Sequence, residues 1–202
     1  GVQFHPEVDA DIVAPWPAEE LDVAESAGRT PAQVVAEIDA AAYRLKVGGL
    51  VNSPKALSLD EIRKLGSTEL IAGFECSGNR RPVQGLIGNG RWTGVPLKTV
   101  LDAAGLKGDA HEIVFFGADR GKESVNFRGT NFDVEQQYGR SMPRTRALAS
   151  EPAPFLAYAL NGEPLTKHQG APLRLIVPGW YGAPNVKWLS EIVAQSDPYM
   201  GK

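Results

Sequence analysis

Cysteine is the scarcest residue in this chain: Cys76 is the only one among 202 residues. One thiol cannot close an intramolecular disulfide, so no bridges staple the fold and none report the compartment. A second Cys for a zinc knuckle is missing as well. The three histidines, His5, His111 and His168, are far apart in the sequence, and no His-Glu-x-x-His string exists. Gly-x-Ser-x-Gly, Gly-x-x-x-x-Gly-Lys and Gly-x-Gly-x-x-Gly are all absent, so the common hydrolase, P-loop and dinucleotide readings do not assemble. No apolar stretch approaches the roughly 18 residues needed to span a bilayer.

What is present is the composition of a soluble globular chain, 43% hydrophobic and 22% charged. The length suits one sizeable domain with a real core. Gly 22 and Pro 15 imply many turns rather than a helical bundle. A net charge of -3 gives no reason to expect a nucleic-acid partner. The charge is unevenly spread, however. Residues 1–65 hold 11 acids and 6 bases, while residues 76–146 hold 11 bases and 7 acids. An acidic start joined to a basic middle is compatible either with a local anion site or with a solvated charged surface.

Residues 1–42 read as an arm, acidic and proline-broken at first. A short helix follows, with Thr30 as its N-cap and Pro31 at its first position. From Tyr43 the apolar period becomes two, and Gly48-Gly49 ends a strand. Ser58 to Glu61 has the capping-box pattern of a helix start. Glu69 to Glu75 reads as a strand running into Cys76, and Leu97 to Ala104 as a helix closed by Gly105. His111 to Phe116 is another strand, with a polar stretch from Gly117 to Gly139 after it. Phe155–Leu160, Leu173–Val177 and Val186–Val193 supply further strands. The pattern predicts an α+β fold with a mixed sheet.

Three strings could carry chemistry. In Cys76-Ser77-Gly78-Asn79-Arg80-Arg81 a strand delivers a thiol to a tight turn beside two guanidinium groups. Adjacent positive charge favours the thiolate, the form that binds metals and attacks electrophiles. The bland alternative is an inert buried Cys beside surface arginines. In the run from Gly170 to Leu189, Arg174 and Lys187 flank Gly- and Pro-rich backbone, which suits a phosphate group or an aromatic-packed turn. In Tyr138-Gly139-Arg140-Ser141 a phenol beside a cation can hydrogen-bond an oxyanion, or simply pack as a rim residue.

Taken in order, these strings resemble the molybdopterin-binding domain of the sulfite oxidase family. The resemblance rests on Tyr43-Arg44-Leu45, Cys76 to Arg81, Arg91 to Leu97, Phe116 to Asp119, Tyr138 to Ser141, Leu156 to Leu165 and the run from Arg174 to Leu189. It covers residues 43–195 and implies a sulfite-oxidase-type fold over residues 43–202, with residues 1–42 as the arm. The implied cofactor is molybdenum–molybdopterin, with Cys76 as the protein's thiolate ligand to the metal. Asp119, Arg174, Asn185 and Lys187 match positions that hold the pterin and its phosphate. Tyr138 matches the active-site tyrosine, and Arg80, Arg81 and Arg140 are the cations for an anionic substrate.

The implied activity is oxygen-atom transfer, oxidising sulfite or a similar small oxyanion. Electrons would pass to a separate acceptor such as a c-type cytochrome, because no haem domain is matched. The alternatives are reduction of an S-oxide or another oxo-donor, and a cofactor-free binding module that keeps the fold. Export to the periplasm is the expected location, with the cytoplasm as the alternative. The sequence departs from the family upstream of Tyr43, where no Arg-Asn-His-type string occurs. It departs again at Gln169, where a His is usual and His168 lies one place earlier.

Overall fold

The computed structural model describes residues 38–76, 79 and 85–200, without the side chains of Lys122, Glu123 and Val125. The expected helix after Thr30, most of the arm, and Arg80 and Arg81 lie outside the described residues.

The chain opens with β1 (Leu45–Gly49) and β2 (Lys55–Leu57), then α1 (Leu59–Lys64), β3 (Thr68–Glu75), β4 (Ile87–Pro96) and α2 (Leu97–Ala104). A long hairpin follows, β5 (Glu112–Phe127) and β6 (Thr130–Pro143), and then the short α3 (Arg144–Ala147). The last elements are β7 (Phe155–Leu160), β8 (Glu163–Pro164), β9 (Arg174–Ile176) and β10 (Leu189–Gln195).

They form two five-stranded sheets. One runs β2-β1-β10-β5-β6; the other runs β3-β4-β7-β8, with β9 also paired to β7. The first is mixed, because β1 and β10 pair in parallel while β10 and β5 pair antiparallel. The fold is the expected α+β arrangement.

Local chemistry accounts for the elements. Leu45 and Val47 of β1 are buried while Lys46 between them is exposed, the period of a half-buried strand. Ser58 and Glu61 form both halves of a capping box on α1. Gly105 ends α2 in the left-handed conformation at φ 70°, donating to Asp102. Leu97, Val100, Leu101 and Ala104 of α2 enter the main core with Leu45, Val47, Phe115, Leu156, Leu175 and Ile192. A smaller cluster gathers Phe74, Trp92, Phe155, Leu160, Leu165 and Ile176. β9 therefore sends Leu175 into one core and Ile176 into the other, and it ties the two sheets together.

The structure adds to or corrects the expected strands in three places. The polar stretch from Gly117 to Gly139 forms most of a hairpin: β5 continues to Phe127 and turns through Arg128 (φ 52°) and Gly129 (φ 83°), the primed geometry of a two-residue turn. The apolar alternation of its outer half is short, and Phe127, Phe132 and Val134 face solvent there. The last strand begins at Leu189 rather than Val186, because Trp188 takes a positive φ of 49° and breaks the extended run. β4 appears at the Arg91–Leu97 string, for which no strand was expected. Among the described residues no helix is long and apolar enough to cross a membrane.

Candidate functional site

Burial singles out the site. Among the described residues, the buried polar or charged side chains are Asp119, Arg174, Asn185 and Lys187, each no more than 6% exposed. Removing such groups from water costs several kcal/mol apiece unless partners or a ligand compensate. Core packing alone does not require them.

The segment between β9 and β10 gathers them. The N–H of Gly182 donates to the carbonyl of Glu75 at 2.8 Å, so the end of β3, and Cys76 beyond it, docks on this segment. One residue on, the carbonyl of Ala183 accepts from the Tyr138 hydroxyl of β6 at 2.8 Å. Glu75, the neighbour of Cys76, and Tyr138, 63 positions apart in the sequence, thus attach through consecutive residues of a single loop. Asn185 shapes that loop with its amide, donating to Tyr181 O at 2.7 Å and accepting from Val177 N–H at 2.6 Å.

Lys187 donates to the carbonyl of His168 at 3.0 Å and lies 4.5 Å from the Trp188 ring centroid. Gly170 makes this approach possible. At φ 99° it sits where an added Cβ would come within 2.7 Å of Lys187 Cβ. The Trp188 carbonyl then accepts from Ala118 N–H at 2.8 Å, bringing Asp119 to the same end of the sheet. Asp119 lies inside the register shift between Phe116 and Arg120, and a second shift separates Leu189 from Glu191. Bulges of this kind re-aim side chains near functional sites.

Arg174 is fully buried and acts as a strut. Its guanidinium donates to Gln169 O at 2.9 Å and to Asn185 O at 3.2 Å, and it stacks within 4.9 Å and 5.0 Å of the Phe74 and Trp92 rings. Phe74 lies two residues before Cys76, so the strut also braces the thiol-bearing strand.

Arg140 lies 4.4 Å over the Tyr138 ring and donates to Gly139 O. Burial is the main reason that the Tyr138 phenol is pushed up to about 12; Arg140 works against the shift and Asp119 adds to it. The group therefore stays a hydrogen-bond donor at neutral pH. His168 is exposed and contributes only its carbonyl to this network.

Sequence reasoning missed several contributors. Gly182 and Ala183 act through their backbones, and Gln137 holds Gly117 O at 2.6 Å, beside Asp119. Gly170 did carry a signal, since a Gly before Ala171-Pro172 marks a position where the chain needs special φ. A separate cavity of about 450 Å³ lies between α1 and β7, lined by Leu59, Arg63, Tyr158 and Leu165 among others, and it shares no residue with this site.

Among the described residues no cluster of three His, Cys, Asp or Glu side chains could hold a metal by itself. The buried thiol of Cys76, the carboxylate of Asp119 and the cations of Arg174 and Lys187 are instead of the chemical types that suit an anionic cofactor bringing a soft metal with most of its ligands. The class of protein is thus a cofactor-dependent oxidoreductase domain. The chain belongs to the oxidoreductase molybdopterin-binding domain family, whose model matches residues 32–202, and within it to the sulfite oxidase group.

It is 36% identical to mitochondrial sulfite oxidase of Drosophila melanogaster over 165 residues, 75% of this chain and 27% of that protein. It is also 36% identical to mitochondrial sulfite oxidase of Mus musculus over 181 residues, 81% of this chain and 31% of that protein. Among solved structures, the sulfane dehydrogenase SoxCD of Paracoccus pantotrophus matches with a TM-score of 0.67 at 29% identity, over 80% of this chain and 40% of that one. The chain thus spans less than a third of the length of these two curated relatives.

Proposed function

We propose that this chain is the cofactor-binding domain of a molybdenum-dependent oxidoreductase that oxidises sulfite or a similar small oxyanion. Residues 43–202 are the cofactor domain in this reading and residues 1–42 an arm. The observation that carries it is the burial of Asp119, Arg174, Asn185 and Lys187 around the loop that also receives Cys76 and Tyr138. The molybdenum–molybdopterin cofactor supplies the oxygen-atom transfer and the two-electron redox change when bound.

The chain's own residues bind, orient and shield. Cys76 offers one soft thiolate to the metal at the end of β3. Lys187 and Arg174 neutralise the phosphate, and Asp119 accepts from N–H groups of the pterin. Asn185 fixes the loop that presents them. Tyr138, kept protonated by burial, turns its one proton from Ala183 O to an oxygen of the bound anion. Arg140 and Arg80 attract the anionic substrate.

Converting sulfite to sulfate adds one oxygen from water and releases two electrons and two protons. Those electrons pass to a separate acceptor, a c-type cytochrome in this reading, and the location that suits it is the periplasm. Likeness to a sulfane dehydrogenase supports a second reading, in which another reduced sulfur compound is the substrate.

The test is molybdenum and pterin content of the chain made in a host that produces the cofactor, followed by sulfite-driven reduction of a cytochrome or dye. Near-stoichiometric metal with sulfite-dependent turnover supports the first reading. Stoichiometric metal without sulfite turnover favours the second. Absence of both metal and pterin overturns the enzyme reading and leaves a binding module. Cys76→Ser removes turnover, and a fully active variant would sink the ligand assignment.

A further inference from the structure

The antiparallel ladder between β3 and β4 ends at the Glu75–Ile87 pair. Cys76 therefore lies one residue beyond it, where another device must fix the thiol's direction. Its N–H donates to Leu86 O at 2.9 Å, and its carbonyl accepts from Asn79 N–H at 2.9 Å. The side chain of Asn79 closes the same neck from both sides. Its Nδ2 donates to Glu75 Oε1 at 2.5 Å, and its Oδ1 accepts from Leu86 N–H at 3.1 Å. One amide thus joins the residue before Cys76 to the residue opposite it.

The donor and acceptor ends are not interchangeable. An ionised carboxylate only accepts and a backbone N–H only donates, so Glu75 and Leu86 together fix which way the amide faces. Of the short side chains, only an amide serves both partners at this reach. Asp would set two carboxylates against each other, and Ala would leave both partners unserved.

We infer that Asn79 is the positioning residue for the Cys76 thiol, with Glu75 as the acceptor that orients its amide. The inference rests on the reading of Cys76 as the cofactor's ligand. Outer contacts of this kind aim a metal-ligating group and set its affinity. Asn79 acts through the loop neck and touches no reacting atom.

The test uses the full chain made in cells that lack the cofactor, and the rate at which a neutral aromatic disulfide modifies its thiol at fixed pH. The sequence has a single Cys, so the signal has one source. Asn79→Ala and Asn79→Asp should each raise that rate about tenfold, the effect of losing a hydrogen bond to a charged group. Glu75→Gln alone should leave it near wild type, because the Gln carbonyl still accepts. The exchange Glu75→Gln with Asn79→Asp restores both contacts with the donor reversed, and should bring the rate back to within about twofold of wild type.

In a cofactor-producing host, molybdenum content should fall in the two Asn79 variants and recover in the exchange. An Asn79→Asp rate equal to wild type overturns the assignment, as does an exchange that stays as reactive as Asn79→Asp. Should Asn79→Asp fail to fold, Glu75→Ala carries the same test by removing only the acceptor. If the enzyme reading is the one at fault, molybdenum is at background in every variant, wild type included, while the thiol rates keep their expected order.

Discussion

The Tyr138 hydroxyl donates to the Ala183 carbonyl at 2.8 Å, joining β6 to the loop that presents Asn185 and Lys187. One phenol thereby ties the hairpin's base to this loop, and under the proposed function the same proton is the one it turns toward the bound anion. Tyr138→Phe removes the hydroxyl but keeps the ring under Arg140. Loss of the bond costs about 1 kcal/mol of stability, whereas loss of a donor to a bound anion lowers turnover on the order of 10²-fold. Molybdenum content should be unchanged. Steady-state kinetics on metal-normalised samples separates the two effects, and an unchanged kcat would remove Tyr138 from the chemistry.

The same phenol makes stability depend on alkaline pH. Folded Tyr138 keeps its proton up to about 12, while an unfolded tyrosine loses it at about pH 10. Between those values the folded chain holds one more proton than the unfolded chain, so stability falls as pH rises through this window. Below the unfolded value the contribution is fully present and constant. Buried Tyr43, whose hydroxyl donates to Leu189 O, is shifted in the same direction and acts in both wild type and variant. Urea midpoints measured between about pH 9 and about pH 11.5 should decline less steeply in Tyr138→Phe than in wild type. Parallel declines would show that Tyr138 titrates normally.

Gly170→Ala tests the approach of Lys187 to the segment before β9. The backbone there has φ 99°, and the new methyl would come within 2.7 Å of Lys187 Cβ and 3.0 Å of its Cα. Both the strain and the clash oppose the native geometry, and together they should cost about 2–3 kcal/mol. Lys187 would have to move off the His168 carbonyl. A lower denaturation midpoint with reduced molybdenum content is expected. Full stability with full metal content would mean that the loop adapts without loss.

How much of this could be read beforehand depended on whether a residue acts through its own side chain or through the tertiary path. Phe155–Leu160 and Leu97–Ala104 were legible to the residue, because a continuous apolar run and a 3.6 period closed by Gly105 are local signals. Cys76, Asp119, Arg174, Asn185 and Lys187 were legible as strings, and burial then singled out the last four. The hairpin from Glu112 to Pro143 was half hidden, since the apolar alternation of its outer half is short and faces solvent at Phe127, Phe132 and Val134. The joining of Glu75, next to Cys76, to Tyr138 was not legible at all. It runs through the Gly182 N–H and the Ala183 carbonyl, and backbone groups leave no mark in a sequence.

Arg174 gives the sharpest separation between holding the site together and acting in it. Its guanidinium spans Gln169 O and Asn185 O while packed on Phe74 and Trp92, so it connects the segment before β9, the loop after it, and the strand that leads to Cys76. Arg174→Lys keeps the charge but cannot reach two carbonyls with a planar fork. Arg174→Met keeps the volume and abandons both carbonyls in a dry interior, at a cost of about 3 kcal/mol. Both variants should therefore unfold at lower urea, the Met variant lower than the Lys variant. If the residue also neutralises the cofactor's phosphate, the Lys variant should retain more molybdenum than the Met variant at equal folded fraction. Equal metal loss in the two would confine Arg174 to the role of strut, and leave Lys187 as the cation on which the phosphate depends.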